Sequence, residues 1–453
     1  MKTLTTSLIG FLLVLTVSGM TTFEKNYLRN YRESGKSVRQ TSDGGYIIAA
    51  VSEFSQTYLI KTNPNGDTIW TKLYDGICYD ILEETDGNFV LCGTLSGNAL
   101  LRKVDNNGTP VWTKSFGGTA DEVAYSLLQT TDGGFMICGY TQSLGTVFQS
   151  VYCVRTDSAG DLIWEKFYSK LAVSVGVAIR EQSGGDFLIC GNADIISKSP
   201  TINQVVLIKI NLDGDTLWTR DYSDGTVVTS FAVTADNGSL LCGYMGSIPS
   251  GNAVSLLNFD ADGGFQWQKS LNLGNDDSRG NWIERANDDH FIITGTSDSS
   301  LFVLKADNAG DPLWTRFYNN STIAKGNCIR QTSDGGYVVC GQSGSSTTSF
   351  STYLIKTNDA GLLTGIDNQH NSDISVSTNP NPASDLLHVT FPASNNICRI
   401  QLIDLSGNIR LQTAVNPGCT QQTMVVRDLP NGCYIMKVWS SDRFCKTLKV
   451  MID

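Results

Sequence analysis

Histidine is scarce in this chain of 453 residues, where only His290, His370 and His388 occur. The sequence also lacks a Cys-x-x-Cys pair, a His-x-x-x-His pair, a Gly-x-Ser-x-Gly motif and a glycine loop of the phosphate-binding kind. Those patterns are typical of structural zinc sites, nucleophilic hydrolases and nucleotide-binding folds. We therefore expect no metal, no cofactor and no Ser-His or Cys-His catalysis.

Basic charge and long apolar runs are also in short supply. There are 33 lysines and arginines against 44 acidic residues, a net charge of -11. Proteins that bind nucleic acid neutralise phosphates with Lys and Arg, so we expect no nucleic-acid partner.

The apolar run 8–17 is too short to span a membrane, and it lies between Met1-Lys2 and Ser18-Gly19. Residues 1–19 are therefore predicted to be a secretory signal peptide, leaving no transmembrane span in the mature chain.

Glycine, by contrast, is plentiful, with 44 residues against 10 prolines, and it belongs to a repeated phrase. The phrase joins an Asp-Gly turn to a short apolar run, and its copies lie at residues 41–50, 85–93 and 131–139 and around Phe187, Ser239, Phe291 and Tyr337. The spacing ranges from 43 residues (Tyr46 to Phe89) to 52 residues (Phe135 to Phe187). Internal repeats of this length indicate an array of similar structural units.

A second turn, of the Asp/Asn-x-x-Gly kind, follows each copy and, in the first six copies, leads into a tryptophan strand. Both turns supply the positive φ angles of hairpins, so each repeat is predicted to have four antiparallel strands. Four short strands per repeat are typical of a propeller blade. The seventh copy lacks its tryptophan strand, and residues 23–27 align with residues 70–74. We predict an all-β fold in which residues 20–365 form a seven-bladed β-propeller closed by the N-terminal strand.

The periodic tryptophans are interpreted as packing between blades rather than as ligand platforms. Five cysteines share one repeat position: Cys92, Cys138, Cys190, Cys242 and Cys340. The other two copies have Ala49 and Thr294 at this position. Sheets of neighbouring blades pack about 10 Å apart, whereas a disulfide needs Cα atoms within about 7 Å. We expect these cysteines to be small buried hydrophobic residues. Cys398, Cys419, Cys433 and Cys445 are left as candidates for two disulfides, with no partners assigned.

The strand order predicts where a ligand binds. Both kinds of turn fall on one side of the ring, called here the turn rim, while the loops that vary between repeats fall on the opposite side, the variable rim. The variable loops lie at residues 145–150, 193–204, 245–252, 272–280 and 343–352. Trp282 is the propeller tryptophan outside the periodic set, and it stands near Asp276, Asp277 and Arg279 on an innermost strand. These four residues are the candidate site, with Trp282 as a platform for a sugar ring or as a filler of the channel.

The sequence changes character after Gly365. Residues 366–373 are predicted to be a linker, and residues 374–453 to be a small immunoglobulin-like β-sandwich of about seven strands. Its motif residues are Pro380, Asn381, Pro382, Gly432, Tyr434, Lys446 and Lys449. In this order they resemble the type A C-terminal sorting domain of the type IX secretion system of certain Gram-negative bacteria. The repeats before it look like the Asp-Gly-Gly-aromatic regions often found ahead of such domains.

The resemblance implies a location and one partner. It implies that the signal peptide directs the chain across the inner membrane, that the type IX machinery is its partner at the outer membrane, and that the protein is secreted or attached to the outer cell surface. The function expected from the residues is non-catalytic binding or adhesion, with a glycan or a cell-surface component as the ligand of the variable rim. Two alternatives stay open: a propeller glycosidase or polysaccharide lyase using Asp121, Glu122, Asp224, Asp276 and Asp277, and a purely structural surface protein.

Overall fold

A computed structural model describes most of the chain. It covers residues 21–29, 32–52, 55–143, 149–168, 173–195, 202–247, 251–273, 277–318, 322–346, 349–363, 376–391, 397–404, 408–416, 418–440 and 443–453. The contacts divide the chain into two compact units, Met1–Thr364 and Gly365–Asp453. The predicted signal peptide and linker lie outside the described residues. Every regular element within them is a β-strand.

The first unit is built from 28 strands in seven four-stranded antiparallel sheets, the blades. In chain order the strands are β1 (Phe23–Tyr27), β2 (Glu33–Gln40), β3 (Tyr46–Ser52), β4 (Gln56–Thr62), β5 (Thr68–Asp75), β6 (Ile77–Glu83), β7 (Phe89–Leu95), β8 (Asn98–Val104), β9 (Pro110–Phe116), β10 (Glu122–Gln129), β11 (Phe135–Thr141), β12 (Ser150–Thr156), β13 (Leu162–Tyr168), β14 (Ser174–Glu181), β15 (Phe187–Ile195), β16 (Ile202–Ile210), β17 (Thr216–Tyr222), β18 (Thr226–Val233), β19 (Ser239–Ser247), β20 (Gly251–Phe259), β21 (Phe265–Leu271), β22 (Ser278–Arg285), β23 (Phe291–Ser297), β24 (Ser300–Ala306), β25 (Pro312–Tyr318), β26 (Ile323–Gln331), β27 (Tyr337–Ser346) and β28 (Ser349–Thr357).

Six blades consist of four consecutive strands, from β2-β3-β4-β5 to β22-β23-β24-β25. The seventh has the order β1-β28-β27-β26, so its outer strand comes from the other end of the propeller sequence. Phe23 pairs with Lys356 and Tyr27 with Thr352 in that antiparallel register. The predicted seven-bladed ring closed by residues 23–27 is confirmed.

The first turn of each blade follows from its Asp-Gly sequence. Gly44 has a φ of 82°, a backbone conformation that is unfavourable for any residue with a Cβ atom. The Asp43 carboxylate accepts hydrogen bonds from the Gly45 amide at 2.9 Å and from Thr41 Oγ1 at 2.6 Å. The Lys61 ammonium from the third strand also donates to it, at 2.7 Å. The repeated phrase therefore fixes both a tight turn and its link to the neighbouring hairpin.

At the outer edge of the ring, each blade holds the next by one repeated set of contacts, called here the latch. The ring of Trp164 packs on Gly214 in the second turn of the following blade, where a Cβ atom would lie 2.9 Å from the indole. The indole Nε1 donates to the Leu212 carbonyl at 3.1 Å, Tyr168 Oη donates to the Gly214 carbonyl at 2.8 Å, and Lys166 pairs with Asp215 at 2.8 Å.

The aromatic-on-glycine contact recurs around the whole ring. Its pairs are Trp70–Gly108, Trp112–Gly160, Trp164–Gly214, Trp218–Gly263, Trp267–Gly310, Trp314–Gly361 and, at the closure, Phe23–Gly66. Tyr27 Oη donates to the Gly66 carbonyl at 2.7 Å, and Lys25 pairs with Asp67 at 2.9 Å, as in the latches of the continuous blades. The expectation that the periodic tryptophans pack between blades is confirmed.

The cores of the propeller lie between adjacent sheets and contain the repeated cysteines. Cys92, Cys138, Cys190, Cys242 and Cys340 are buried free thiols. Burial raises the pKa of the Cys138 thiol well above its usual range. The expectation that these residues act as small hydrophobic side chains is confirmed.

The second unit is a small β-sandwich of two antiparallel sheets. Its strands are β29 (Ser377–Asn379), β30 (Leu386–Thr390), β31 (Ile397–Ile403), β32 (Ile409–Ala414), β33 (Gln421–Val425), β34 (Gly432–Ser440) and β35 (Arg443–Ile452), in the sheet orders β29-β30-β33 and β32-β31-β34-β35. One apolar core joins them, with Leu387, Val389, Ile400, Met436 and Val450 fully buried. The predicted seven-stranded sandwich is confirmed.

The structure describes the side chains of two of the four sandwich cysteines. Cys419 and Cys433 are free thiols, so the alternative of two disulfides within this unit does not hold. The side chains of Cys398 and Cys445 lie outside the described residues.

Candidate functional site: the central channel

The first strand of each blade is the innermost one, and these strands contact one another around the ring. Each carries a β-bulge, as between Gly35 and Ser37 in β2. The bulge residue links neighbouring blades where it is polar: Asn281 donates to the Gly326 carbonyl at 2.7 Å, and Asn327 donates to the Gly35 carbonyl at 2.8 Å. The second of these bonds connects the seventh blade to the first, so the inner wall of the central channel is closed as well.

The register confirms which residues are equivalent to Trp282. Each of them pairs with the residue at the repeated cysteine position of its own blade, and they are Ser37, Asp80, Ser126, Ala178, Ser230 and Cys328. An inner strand runs from the variable rim to the turn rim, because the loop before it belongs to the variable rim. Trp282 therefore lies in the interior of the ring, while Asp277 and Arg279 lie at its variable-rim end.

Near the variable rim, the wall carries a group of tyrosines. Tyr79 and Tyr125 are the bulge residues of the second and third blades, and their ring centroids are 4.8 Å apart in an edge-to-face arrangement. Tyr140 of the adjacent strand lies 6.1 Å from Tyr125. All three are half-buried, so each keeps part of its ring surface exposed. Such rings combine apolar area with a hydroxyl that donates and accepts hydrogen bonds.

An ion pair lies at the same end of the sixth blade. Arg279 Nε is 3.3 Å from an Asp277 carboxylate oxygen, and the Arg279 guanidinium lies 4.9 Å from the centroid of Tyr244. Burial raises the pKa of Asp277, but hydrogen bonds from Asn252 and Arg279 outweigh that effect and lower it below the usual range. Asp277 is therefore an ionised acceptor at neutral pH. Asp276, the remaining member of the predicted site, lies outside the described residues.

Trp282 does not contact that ion pair. The Arg330 guanidinium lies 4.6 Å from the centroid of its ring, and the Arg180 guanidinium, from a blade across the channel, lies at 5.5 Å. The rest of the ring packs between the cores on either side of the first strand of the seventh blade. The structure thus separates Trp282 from Asp277 and Arg279, and its role as a sugar platform stays a prediction.

The arginines belong to a cavity that sequence reasoning missed. About 410 Å³ lies at the turn-rim mouth of the channel, lined by Arg39, Gln40, Leu82, Glu83, Leu127, Leu128, Gln129, Ile179, Arg180, Glu181 and Arg330. Five blades contribute to this lining. A signal was available: three arginines occupy one repeat position, where the other blades have Leu82, Leu128, Ala232 and Glu284. Their convergence becomes visible only when that position is placed at the centre of a ring.

Other rim carboxylates have local structural partners. Glu122 is fully buried, and its oxygens accept from Thr141 Oγ1 at 2.7 Å and from the Gly118 amide at 3.0 Å. Asp224 accepts from Thr226 Oγ1 and from Gln268 Nε2, each at 2.6 Å. Asp121 is exposed at the surface. These contacts fasten strand ends to neighbouring loops.

The sorting motif of the second unit is held by its last strand. Asn381 Nδ2 donates to the Lys449 carbonyl at 3.0 Å, and the Met451 amide donates to Asn381 Oδ1 at 2.8 Å. Pro380 and Pro382 flank that asparagine. Gly432 opens β34, where the buried Tyr434 donates to the Pro430 carbonyl at 2.7 Å. Lys449 is exposed, and the side chain of Lys446 lies outside the described residues.

Residues 377–453 match the family described as the secretion system C-terminal sorting domain. The chain is exported by the type IX secretion system. It is secreted or attached to the outer surface of a Gram-negative bacterium, and its C-terminal sorting domain implies handling by that system. A search of curated proteins gives no match.

The solved structures that the chain resembles are distant. BamB from Moraxella catarrhalis is 9% identical, with a TM-score of 0.44, 71% of this chain covered and 84% of that chain. Virginiamycin B lyase from Staphylococcus aureus, in a catalytically inactive form, is 11% identical, with a TM-score of 0.47 and coverages of 74% and 99%. A protein of unknown function from Bacteroides caccae is 10% identical, with a TM-score of 0.41 and coverages of 60% and 90%.

Two general properties complete the description of the site. The part of the chain that the structure describes contains no helix with the length and apolar character needed to cross a membrane. Within the same residues, no group of three or more His, Cys, Asp and Glu side chains is arranged to hold a metal ion.

Proposed function

We propose that this exported propeller is a non-catalytic binding protein and that its ligand is a carbohydrate held at the variable-rim mouth of the channel. The observation that supports this most is the half-buried group of Tyr79, Tyr125 and Tyr140. Carbohydrate sites combine aromatic faces, which stack on the C–H surfaces of sugar rings, with a few fixed polar groups. The tyrosines supply the first kind of contact.

The Asp277–Arg279 pair supplies the second. The ionised Asp277 carboxylate accepts hydrogen bonds from sugar hydroxyls, and the Arg279 guanidinium donates to them. Arg279 is exposed, so it is accessible to a ligand that enters from the variable rim. The tyrosines lie on the second and third blades and the ion pair on the sixth. A ligand that contacts both is therefore an oligosaccharide rather than a single sugar.

The scaffold favours binding over turnover. Hydrolysis of a glycosidic bond by the common mechanism requires two carboxyl groups that face the bond from opposite sides. Glu122 and Asp224 are occupied by hydrogen bonds within the rim, so they do not supply a second carboxyl group to act with Asp277. A propeller glycosidase or lyase stays the alternative, with release of shortened sugar chains as its signature.

A glycan array on the full chain, followed by titration calorimetry on the best ligand, tests the proposal. Tyr125→Ala is expected to weaken binding at least tenfold, because an aromatic stacking partner is lost. Tyr222→Ala is the matched control, since Tyr222 stacks on Phe265 at 4.4 Å on an outer strand and is remote from the channel. Arg279→Gln is expected to weaken binding less.

The outcomes separate the three functional classes. An array with no bound glycan overturns the proposal and favours a structural surface protein. Release of shortened products overturns the non-catalytic assignment. Equal affinity of wild type and a folded Tyr125→Ala variant removes the tyrosine site.

A further inference from the structure

The turn-rim mouth of the channel has a composition that the carbohydrate site does not explain. Guanidinium groups of Arg39, Arg180 and Arg330 come from the first, fourth and seventh blades and line the same cavity. Arg330 has only 12% of its side chain exposed. Arginines are almost never buried without a partner, because removing a charge from water is costly. Whether the cavity has unneutralised positive charge therefore depends on the partner of each guanidinium.

Two of the three arginines have a carboxylate nearby. Arg330 Nη1 is 2.6 Å from Glu284, and Arg39 Nη2 is 3.7 Å from Asp80. Asp80 is itself fully occupied, since it accepts from Ser37 Oγ at 2.8 Å and from the Ile81 and Leu127 amides at 2.9 and 3.2 Å. The Arg39–Asp80 distance is long for a hydrogen bond. Arg39 is therefore only weakly neutralised.

Arg180 has the least complete set of partners. Its Nη1 donates to Ser126 Oγ at 3.2 Å and to the Ile179 carbonyl at 2.9 Å, both neutral acceptors. Its other contacts are the rings of Phe231 and Trp282. Burial and the charge of Arg330 lower the pKa of Arg180 to about 10. The guanidinium is still charged at neutral pH, and among the described residues no carboxylate lies within ion-pair distance of it.

Two further donors are unsatisfied, one on Arg330, which lines the cavity, and one on Trp282, which contacts Arg330. Arg330 Nε and Trp282 Nε1 are buried and have no hydrogen-bond partner within the described part of the chain. Buried N–H groups without an acceptor are rare in folded proteins and call for an explanation. Both belong to side chains in contact with each other, and Trp282 also contacts Arg180. These N–H groups therefore lack acceptors within the described part of the protein. A bound oxyanion is a ligand that supplies acceptors.

The mouth also contains acidic side chains, and these limit the ligand. Glu83 lines the cavity, but its two oxygens accept from the amide and the hydroxyl of Ser42 at 2.8 and 2.9 Å. Glu284 is occupied by Arg330 and by the Gln331 amide at 3.2 Å. Glu181 lines the mouth as well and repels an anion of high charge. The remaining lining consists of two amide side chains, Gln40 and Gln129, and of the apolar residues Leu82, Leu127, Leu128 and Ile179.

We propose that the turn-rim mouth of the central channel binds a small molecule through an oxyanion group, a carboxylate or a phosphate, held by Arg180 together with Arg39 and Arg330. A guanidinium presents two parallel N–H groups that match such an oxyanion. The volume of about 410 Å³ is within the range of small-molecule sites, and the leucines receive an apolar part of the ligand. This site is separate from the carbohydrate site, because the two lie at opposite ends of the channel.

Calorimetric titration and thermal melting of the full chain test the proposal, with inorganic phosphate and citrate as the two probes and sodium chloride at matched ionic strength as the blank. At least one probe is expected to bind with a dissociation constant below about 1 mM and to raise the melting temperature. Arg180→Gln is expected to weaken that binding at least tenfold. Arg316→Gln is the matched control, since Arg316 also lies on a tryptophan ring, 5.5 Å from Trp314, but on an outer strand.

A second variant keeps the test decisive if Arg180→Gln does not fold. Leu128→Glu adds a carboxylate at the half-buried edge of the cavity and is expected to abolish probe binding while leaving glycan binding unchanged. The proposal is overturned if neither probe binds better than chloride, or if a folded Arg180→Gln binds as wild type does. If Arg180→Gln does not fold, wild-type binding by Leu128→Glu overturns it. A preference for phosphate over citrate, or the reverse, identifies the oxyanion.

Discussion

At the outer edge of the propeller, all seven blades make the same aromatic-on-glycine contact, whereas along the inner wall one repeat position carries Arg39, Leu82, Leu128, Arg180, Ala232, Glu284 and Arg330. The outer contacts depend only on neighbouring blades, so a repeated sequence is sufficient for them. The inner wall is the one place where distant blades meet. In this ring, residues that follow the repeat maintain the scaffold, and residues that depart from it are the candidates for binding.

The largest effect is expected where the latch closes the ring. Phe23 has 3% of its surface exposed and packs on Gly66. Phe23→Ala is expected to lower the free energy of unfolding by about 3–4 kcal/mol, because it removes a buried aromatic ring and leaves a cavity. Urea denaturation of the full chain measures the change.

A matched control shows whether closure is the cause. Phe317 lies on the outer strand of the sixth blade with 46% of its surface exposed, and Phe317→Ala is expected to change the free energy of unfolding by less than about 1 kcal/mol. Equal losses in the two variants would contradict the role of the latch.

A smaller effect is expected from the glycine side of the latch. Gly214 has a φ of 75°, and an added Cβ atom would lie 2.9 Å from the Trp164 ring. Gly214→Ala is expected to destabilise the propeller by roughly 2 kcal/mol, from backbone strain together with the steric contact. Gly335→Ala separates the two causes, since Gly335 has a φ of 85° with no atom near the added Cβ. Gly335→Ala is expected to cost about 1 kcal/mol. Thermal melts of both variants measure the two losses of stability. A loss in Gly214→Ala no greater than that in Gly335→Ala would argue against the steric contact.

The closing strand also differs from the other outer strands in its response to pH. Burial raises the pKa of Glu24 to about 8, whereas the unfolded chain titrates near 4.5. The folded state therefore holds a proton that the unfolded state releases, and the stability from this group is lost as the pH rises from about 4.5 to 8. The expected loss is on the order of 2 kcal/mol.

Glu24→Gln tests this assignment because glutamine stays neutral. The variant is expected to melt at nearly the same temperature at pH 5 and pH 8, whereas wild type melts lower at pH 8. A parallel decline in both proteins would assign the pH dependence to other groups.

The smallest effect is expected at the turn rim. Burial opposes ionisation of Asp43, but hydrogen bonds from Lys61 and Thr41 lower its pKa to about 2. The stabilisation is present above pH 4 and is lost as the pH falls from about 4 to 2. Because 57% of the Asp43 side chain is exposed, Asp43→Asn is expected to cost less than about 1 kcal/mol at pH 7 and nothing at pH 2. Chemical denaturation at the two pH values checks the difference.

The sequence was sufficient to predict the elements that local chemistry determines. The repeated phrase at residues 131–139 predicts a turn followed by a strand, and β11 is observed at Phe135–Thr141, directly after the Asp-Gly-Gly turn. The closing strand was found by aligning residues 23–27 with the tryptophan strands, and Phe23 occupies the latch position of a tryptophan. Each of these signals lies within one repeat.

The contacts inside the channel were not predictable in the same way. Arg39, Arg180 and Arg330 share one repeat position but are 141 and 150 residues apart, and the repeat does not by itself show that they meet at the centre of a ring. Trp282 was recognised as unusual, but its neighbours in sequence, Asp277 and Arg279, are not its neighbours in space. Asp277 and Arg279 lie at the variable-rim end of β22, whereas Trp282 lies in the interior of the ring, beyond the β-bulge that follows Gly280. Residues of the variable rim were chosen for their variety, and several of them, Asp276 included, lie outside the described residues.

Pairing of β1 with β28 gives the propeller an order of assembly. Phe23 is synthesised among the first residues of the ring, and its partner Lys356 is synthesised more than 300 residues later. Closing a loop of such a length costs more conformational entropy than forming a hairpin, so we expect the six continuous blades to form before the seventh. Until then, β28 has an open edge and Gly66 lacks its aromatic cover. A chain interrupted before residue 349 remains an open array with an unpaired first strand, which makes ring closure a signal that the whole propeller has been made.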